Sequence, residues 1–343
     1  MNTELLKRVG NMEQLCFVRE STLDAGEGRG MRIAQFKNLA GLIFTVLPDR
    51  CMDLYDFSYR GINLSFLSKN GLRSSMSFTS AKGEFAEQWP AGMMYTCGLD
   101  NVGGHCDDGA IHPTHGRISS VPARHFGVKA GWEKDNYCLQ ATGEMVQSRL
   151  YGMHLSLERT ISAGMNDKHI VIRDIIVNLD SEDAPYFLLY HINFGYPLLD
   201  EGCVVMLSPA RIEPLNSRSA DPTHMTAPRD GQQEELYLCH AQTEKCAALL
   251  FNPNLDLGGY VVFETKNLPR FLEWKMMKSH DYVLALEPCN TWGISRTDAV
   301  REGKATVLPA YESVEMNLEL GVVDGIKELE AFKKEYDLRE ASL

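Results

Sequence analysis

The chain is short of positive charge. It has 34 lysines and arginines against 46 aspartates and glutamates, a net charge of -12. Nucleic acid and anionic membrane both require a basic surface, so neither is expected as a partner. No apolar run approaches the roughly 20 residues of a transmembrane helix. Cysteines are present but unpaired in pattern. The nine stand at 16, 51, 97, 106, 138, 203, 239, 246 and 289, with no C-x-x-C pair, and the number is odd. Many lie in apolar runs, where a thiol packs as a small hydrophobe. Met1–Arg8 has no apolar core of a signal peptide. A reduced, cytoplasmic protein is expected. Several catalytic signatures are also missing. There is no G-x-S-x-G elbow, and the glycine-rich run Ala25–Gly30 leads into a strand pattern without a Lys-Ser/Thr pair. No internal repeat, low-complexity tract or composition break marks a linker.

What is present reads as many short strands between turns. Hydrophobic residues make up 44 % of the chain, enough for a sizeable core. Strands are expected at Met31–Phe36, Leu42–Leu47, Met52–Phe57, Tyr137–Gln140, His154–Ile161, Ile170–Asn178 and Tyr186–Asn193. The series continues at Val204–Leu207, Cys246–Phe251, Gly259–Phe263, Tyr282–Glu287 and Ser313–Leu320. Helix signals are few: a short one near Glu4–Val9, and a C-terminal one with Ile326, Leu329, Phe332 and Tyr336 on one face. The polar stretch Ser217–Glu235 reads as a long loop, a place where function often sits. These features predict an all-β protein, a large antiparallel β-sandwich with a few short helices. One domain is expected over residues 1–343, with a short N-terminal segment 1–20 and a C-terminal helix over 324–338.

Two strands carry an ionisable residue near an apolar end. His191 lies in Phe187-Leu-Leu-Tyr-His-Ile-Asn-Phe-Gly-Tyr-Pro197. Strand alternation puts Tyr190 and Ile192 on the opposite face and Asn193 on the same face as His191. Two inward polar groups need partners, which a polyol would supply. Glu287 ends Tyr282-Val-Leu-Ala-Leu-Glu-Pro-Cys-Asn290. A buried glutamate is rare without a reason. It serves either as a general base of raised pKa or as a strand-end partner of Arg296 or Lys275.

Cys97–Arg124 is the densest polar region, with His105, His112 and His115 among glycines. His112 and His115 with Asp107 or Cys106 could hold a divalent metal, although no tight zinc spacing occurs. The bland alternative is a polar loop whose histidines cap turns. Gly116 after His115 allows close approach of backbone or ligand, and Arg117 offers a planar fork for hydroxyl or carboxylate groups. Trp274 and Trp292 are either sugar-stacking platforms or core and rim residues. Arg50 and Asp53 either line a pocket or pair with each other.

The ordered set His115-Gly-Arg117, Tyr190–Gly195 and Leu286-Glu287-Pro288 resembles the galactose mutarotase (aldose 1-epimerase) superfamily, from about Leu42 to Leu320. Pro48–Leu54, Thr96–Asn101 and Tyr190–Pro197 look like a less characterised bacterial branch of aldose-epimerase-like proteins. The resemblance implies a β-sandwich with its site on one concave face. It implies Glu287 as the base that deprotonates the anomeric hydroxyl, His191 as the acid toward the ring oxygen, and His115 as a sugar-holding group. It implies no metal and no organic cofactor. The Asp that better-known mutarotases add between the second His and the Glu matches no motif; Asp200 and Asp221 are candidates. Arg50, Arg117 and Lys275 suggest an anionic substrate such as a uronic acid or a sugar phosphate.

The combined expectation is a carbohydrate epimerase whose partner is a small-molecule sugar or sugar acid. His191 and Glu287 are its catalytic candidates. His115, Arg117, Asn193, Arg50, Asp53, Lys275 and Trp292 are its substrate-binding candidates. A homodimer is compatible with the sequence. Two other readings stay open: a metal-dependent sugar isomerase built on His105, His112, His115 and an Asp, and a non-catalytic carbohydrate-binding protein.

Overall fold

The computed structural model describes residues 3–342; residues 1, 2 and 343 of the expected domain lie outside them. Two large antiparallel sheets face each other. The first has twelve strands, and at its centre Asp53–Tyr59, Met94–Leu99, Ala184–Phe194, Asp281–Cys289 and Arg270–Lys278 run side by side. The second has nine strands, with Leu257–Glu264, Ser313–Asp324, His169–Asn178 and His154–Gly164 at its centre. The expected all-β sandwich is the observed architecture.

Alternation along the strands sorts residues between the layers. In Ala184–Phe194 the even positions Leu188, Tyr190, Ile192 and Phe194 enter the core between the sheets. The odd positions Phe187 and Leu189 join a separate apolar cluster on the outer face. The same split divides Leu284 and Leu286 from Val283 and Cys289. The first sheet is therefore covered on both faces, which is why its central strands read as nearly continuous apolar runs. Two central strands were not legible. Arg270–Lys278 buries Glu273 and Lys275, and Met94–Leu99 is interrupted by Gly98.

His169–Asn178 shows the alternation in the sequence, and it puts Asp174 on the face of Ile170, Ile172 and Ile176. The structure supplies the reason. Arg159, fully buried, donates from Nε to Asp174 Oδ1 at 2.9 Å and from Nη2 to Oδ2 at 2.6 Å. Its Nη1 crosses to the other sheet and meets the Cys51 carbonyl at 2.9 Å and Asp53 Oδ1 at 3.1 Å. Tyr190 donates its hydroxyl to Asp174 Oδ2 at 2.7 Å. Asp53 also accepts from Thr96, through both the backbone amide and the hydroxyl. Asp53 is thus a sheet-to-sheet tie and not a pocket residue, because its strand turns it toward the core.

The C-terminal helix spans Ile326–Tyr336, shorter than 324–338, since Asp324 still ends the preceding strand. Leu329, Phe332 and Tyr336 pack on the outer face of the second sheet, with Phe332 4.4 Å from the Tyr260 ring. Ile326 is exposed and does not share that face. The expected long loop lies between Pro214 and Glu235. No helix among the described residues is long and apolar enough to cross a membrane, which says nothing of membrane-crossing strands.

Removing Arg159 would strand two buried carboxylates. Breaking such a pair from one side costs about 3–5 kcal/mol. Arg159→Met is expected to lose stability on that scale in urea unfolding. A change below about 1 kcal/mol, the level of an exposed pair, would show that the tie contributes little.

Candidate active site

The register of two neighbouring strands creates the site. Leu189 pairs with Cys289 and Ile192 with Leu286, which sets His191 directly across from Glu287. Both lie on the outer face of the first sheet. His191 Nε2 is 2.9 Å from Glu287 Oε1, and the side chains are 7 % and 4 % exposed. The contact is close, but it is not well enough aligned to satisfy the oxygen. Oε1 remains a buried acceptor without a directed donor. A ligand hydroxyl arriving here would meet an open acceptor.

Asn193 fixes the state of the imidazole. Its amide nitrogen donates to the carbonyls of Gly92 at 2.8 Å and of His191 at 2.9 Å. Its oxygen must then face His191 Nδ1, 2.5 Å away. A carbonyl oxygen only accepts, so this assignment puts the proton on Nδ1. Nε2 faces the carboxylate of Glu287. Asn193 is fully buried beneath His191 and does not line the cavity. It is a positioning residue and not a substrate contact.

His115 stands on the adjoining wall, its ring 5.8 Å from that of His191. Its backbone adopts φ +60°, held by a hydrogen bond to the Gly103 carbonyl and by one from the Gly98 amide. Gly116 is required next to it. A Cβ there would overlap the Gly98 and Asn101 carbonyl oxygens. The close approach foreseen for this glycine is thus made by backbone and not by ligand. The Gly103 amide points at His115 Nδ1 at 3.5 Å, which leaves Nε2 to carry the hydrogen. Although the residue is half-buried overall, loss of hydration around the ring, and then the charge of His191, hold its pKa down to about 3. His115 is a neutral hydrogen-bond donor across the ordinary pH range.

These groups open on a cavity of about 730 Å³, within the usual range of small-molecule sites. Trp89, Trp274, Phe66 and Phe85 supply aromatic walls. Trp89 and Trp274 flank the His191 ring at 5.2 and 5.5 Å. Trp274 Nε1 donates to Glu234 at 2.9 Å. Asp281 lies at the rim, paired with Lys69 at 2.9 Å. Three carboxylates, Glu234, Asp281 and Glu287, therefore face one lysine across the cavity lining.

Other expected contacts go elsewhere. Lys275 neighbours Trp274 but points to the opposite face by strand alternation, where its Nζ donates to the Asp221 carbonyl at 2.6 Å. Trp292 covers the Arg270 guanidinium at 3.4 Å, outside the cavity. Arg117 turns toward Asp100, with Nε 3.9 Å from Oδ2. Arg50 is buried behind the aromatic wall. None of these four lines the cavity. Without them the case for an anionic substrate loses its cations. Asp200 and Asp221 do not line it either; the carboxylates that line it between His191 and Glu287 in the chain are Glu234 and Asp281. His112 is clamped between Asp100 at 3.0 Å and Asp108 at 3.1 Å, and Arg296 also holds Asp108. No cluster of three or more metal-ligating side chains occurs among the described residues. Glu287 pairs with His191 and with neither Arg296 nor Lys275. The sequence reading missed Trp89, Phe66, Phe85, Glu234 and Asp281. The one available signal was Trp89-Pro90, an aromatic in a polar stretch.

The architecture is shared with solved structures. A "putative aldose 1-epimerase" from Klebsiella pneumoniae superposes with a TM-score of 0.86 at 20% identity, over 93% of this chain and 86% of that one. A galactose mutarotase-like protein from Clostridium acetobutylicum gives 0.60 at 14% identity, over 91% and 99%. Galactose 1-epimerase from Lactobacillus acidophilus gives 0.55 at 9% identity, over 90% and 99%. The fold is therefore that of the galactose mutarotase-like β-sandwiches. The chain itself belongs to the family described as "Domain of unknown function (DUF4432)", whose model matches residues 28–322. No curated protein matches it in sequence.

Two measurements check this geometry. In ¹⁵N NMR, His191 should carry its hydrogen on Nδ1, and Asn193→Leu should release the other tautomer; an Nε2–H tautomer in the unaltered protein would refute the assignment. His115 stays neutral when folded down to about pH 3 but protonates near its ordinary 6.5 when unfolded. The unfolded state then binds more protons, so this residue's share of stability is full above about 6.5 and is lost as pH falls toward 3. His115→Gln should flatten the decline of the urea midpoint between those limits. Equal slopes for both proteins would place the His115 pKa near its ordinary value.

Proposed function

We propose that the protein is a cofactor-free epimerase of sugar hemiacetals, acting on a neutral aldose. The observation that carries this reading is the His191–Glu287 pair on the floor of an aromatic-walled cavity of sugar size. Glu287 Oε1 accepts the proton of the anomeric hydroxyl. His191, which in the reacting form carries a proton on Nε2 as well as on Nδ1, delivers the Nε2 proton to the ring oxygen, and His115, neutral and donor-only on its free nitrogen, steadies that oxygen. The C1–O5 bond breaks as the C1 carbonyl forms. After rotation about C1–C2 the hydroxyl attacks the other face of the carbonyl. Glu287 then returns its proton to the carbonyl oxygen, and His191 recovers the one it gave. The two residues end as they began, and no redox partner is needed.

The aromatic walls suit the C–H faces of a pyranose, and Glu234 and Asp281 suit its hydroxyls. Their charge, with that of Glu287, disfavours an acid group on the sugar. Arg50, Arg117 and Lys275, expected to favour one, lie outside the cavity. Nine cysteines without a disulfide suit a reducing compartment, in keeping with a cytoplasmic reaction.

Exchange NMR or polarimetry over a panel of aldoses, uronates and sugar phosphates tests the proposal. Acid/base groups of this kind contribute about 10²–10⁴-fold each. Glu287→Gln and His191→Asn should lower anomer exchange on that scale while sugar binding persists, and neutral sugars should outperform acids. Full activity in both variants would end the acid/base assignment. Binding without exchange in the unaltered protein would make it a carbohydrate-binding protein. Activity lost to a chelator and restored by metal would return the metal-isomerase reading.

A further inference from the structure

The cavity is longer than one sugar ring needs. Two paired strands lay its floor. Leu272, Trp274 and Met276 line it from Arg270–Lys278, and Asp281, Val283 and Glu287 line it from Asp281–Cys289. Leu272 pairs with Glu287 and Met276 with Val283, so the lining follows the strands from the His191–Glu287 pair to the rim. Asp281 stands six positions before Glu287, about 20 Å away at roughly 3.3 Å per residue. Strand side chains stand roughly perpendicular to their sheet, so a wide gap persists between the two carboxylates. A pyranose measures about 6 Å from O1 to O4, given bonds near 1.5 Å. One ring held at Glu287 therefore stops short of Asp281.

Volume gives the same answer. At a water's share of the liquid, about 30 Å³ per non-hydrogen atom, the roughly 12 such atoms of a hexose fill about 360 Å³. The roughly 23 such atoms of a disaccharide fill about 690 Å³ on the same scale. The cavity holds about 730 Å³.

The stretch toward the rim is furnished for a second ring. Phe66 and Val283 form an apolar cluster there, with Trp89, Trp274 and Met276 packed against it. At its end Lys69 pairs with Asp281 at 2.9 Å, and Asn70 stands beside them on the lining. Asn70 donates from its amide nitrogen to the carbonyls of Ala86 at 2.9 Å and Trp89 at 3.0 Å. Its amide oxygen has no hydrogen-bond partner among the described residues. The opposite end, beyond Glu287, offers less. Val102, Gly103, Gly104, Gly293 and Ile294 bring no polar side-chain atom. The Ser295 hydroxyl there is taken, donating to the Asp298 carboxylate at 2.7 Å and accepting from the Asp298 amide at 3.1 Å. Thr291 is left as the hydroxyl of that end.

We propose that the preferred substrates are reducing disaccharides. The reducing unit sits at the His191–Glu287 pair, and the second unit lies over Phe66, Met276 and Val283 and reaches the Lys69–Asp281 rim. This orientation rests on the epimerase reading of that pair. The hydroxyls that meet Asp281 are then those of the second unit. Lys69 donates to them, and Asp281 and the Asn70 oxygen accept from them.

Binding and turnover are measured apart. Cellobiose, maltose, lactose and gentiobiose, with glucose as their shared reducing unit for control, are titrated against the unaltered and the Glu287→Gln protein by tryptophan fluorescence. At least one disaccharide should bind about tenfold or more tightly than glucose, the gain expected from a hydrogen bond to a charged group. Exchange NMR on the unaltered protein should give the same order in kcat/KM. Lys69→Met should bring the disaccharide-to-glucose ratio near one; the lysine side chain is 65 % exposed, so folding is not at stake. No disaccharide binding, glucose binding as tightly as every disaccharide, or a ratio untouched by Lys69→Met overturns the second-unit site. Tighter disaccharide binding with no exchange of any sugar would sink the epimerase reading and uphold the site. Exchange of glucose with no advantage for a disaccharide would do the reverse.

Discussion

The register between Ala184–Phe194 and Asp281–Cys289 is the constraint on which the rest depends. It sets His191 across from Glu287, and by alternation it commits the residues between them to the core. A slip of one position would turn Tyr190 toward the cavity and His191 into the sandwich. The core then guards the site, since burying His191 between the sheets would cost far more than burying Tyr190, whose hydroxyl already has Asp174.

That register is held from below by charge as well as by packing. Arg159 ties Asp174 on one sheet to Asp53 and the Cys51 carbonyl on the other, and Tyr190 joins the same network. The residue next to His191 in the chain is thus anchored through the sandwich. Above the sheet, Asn193 and Gly116 act on a finer scale. One holds the tautomer of His191, and the other lets the loop backbone come close enough to bring His115 alongside.

Much of the site was legible because strand ends are where an ionisable residue stands out. His191 and Glu287 interrupt apolar runs, and His115 precedes a glycine that had to be explained. Asp53 and Lys275 also interrupt apolar runs, and Arg50 sits in the turn that leads into one, yet none of the three lines the cavity. A polar residue in a doubly covered sheet looks the same in sequence whether its partner is a ligand or a buried counter-charge. Glu234 and Asp281 were missed for the opposite reason, since they lie at strand starts where polar residues are ordinary. The aromatic walls come from segments far apart in the chain, and no local pattern joins them.

The sequence by itself determined the all-β class, most of the core strands, the C-terminal helix and the two strands that carry His191 and Glu287. It could do so because alternation and turn residues are local. Only the tertiary structure decided which face of each strand looks into the cavity and which polar residues are core ties. It also decided that the cavity is lined by carboxylates and aromatics instead of arginines. Those outcomes rest on pairing register and on two sheets meeting, and both are relations between residues that the chain keeps a hundred positions apart.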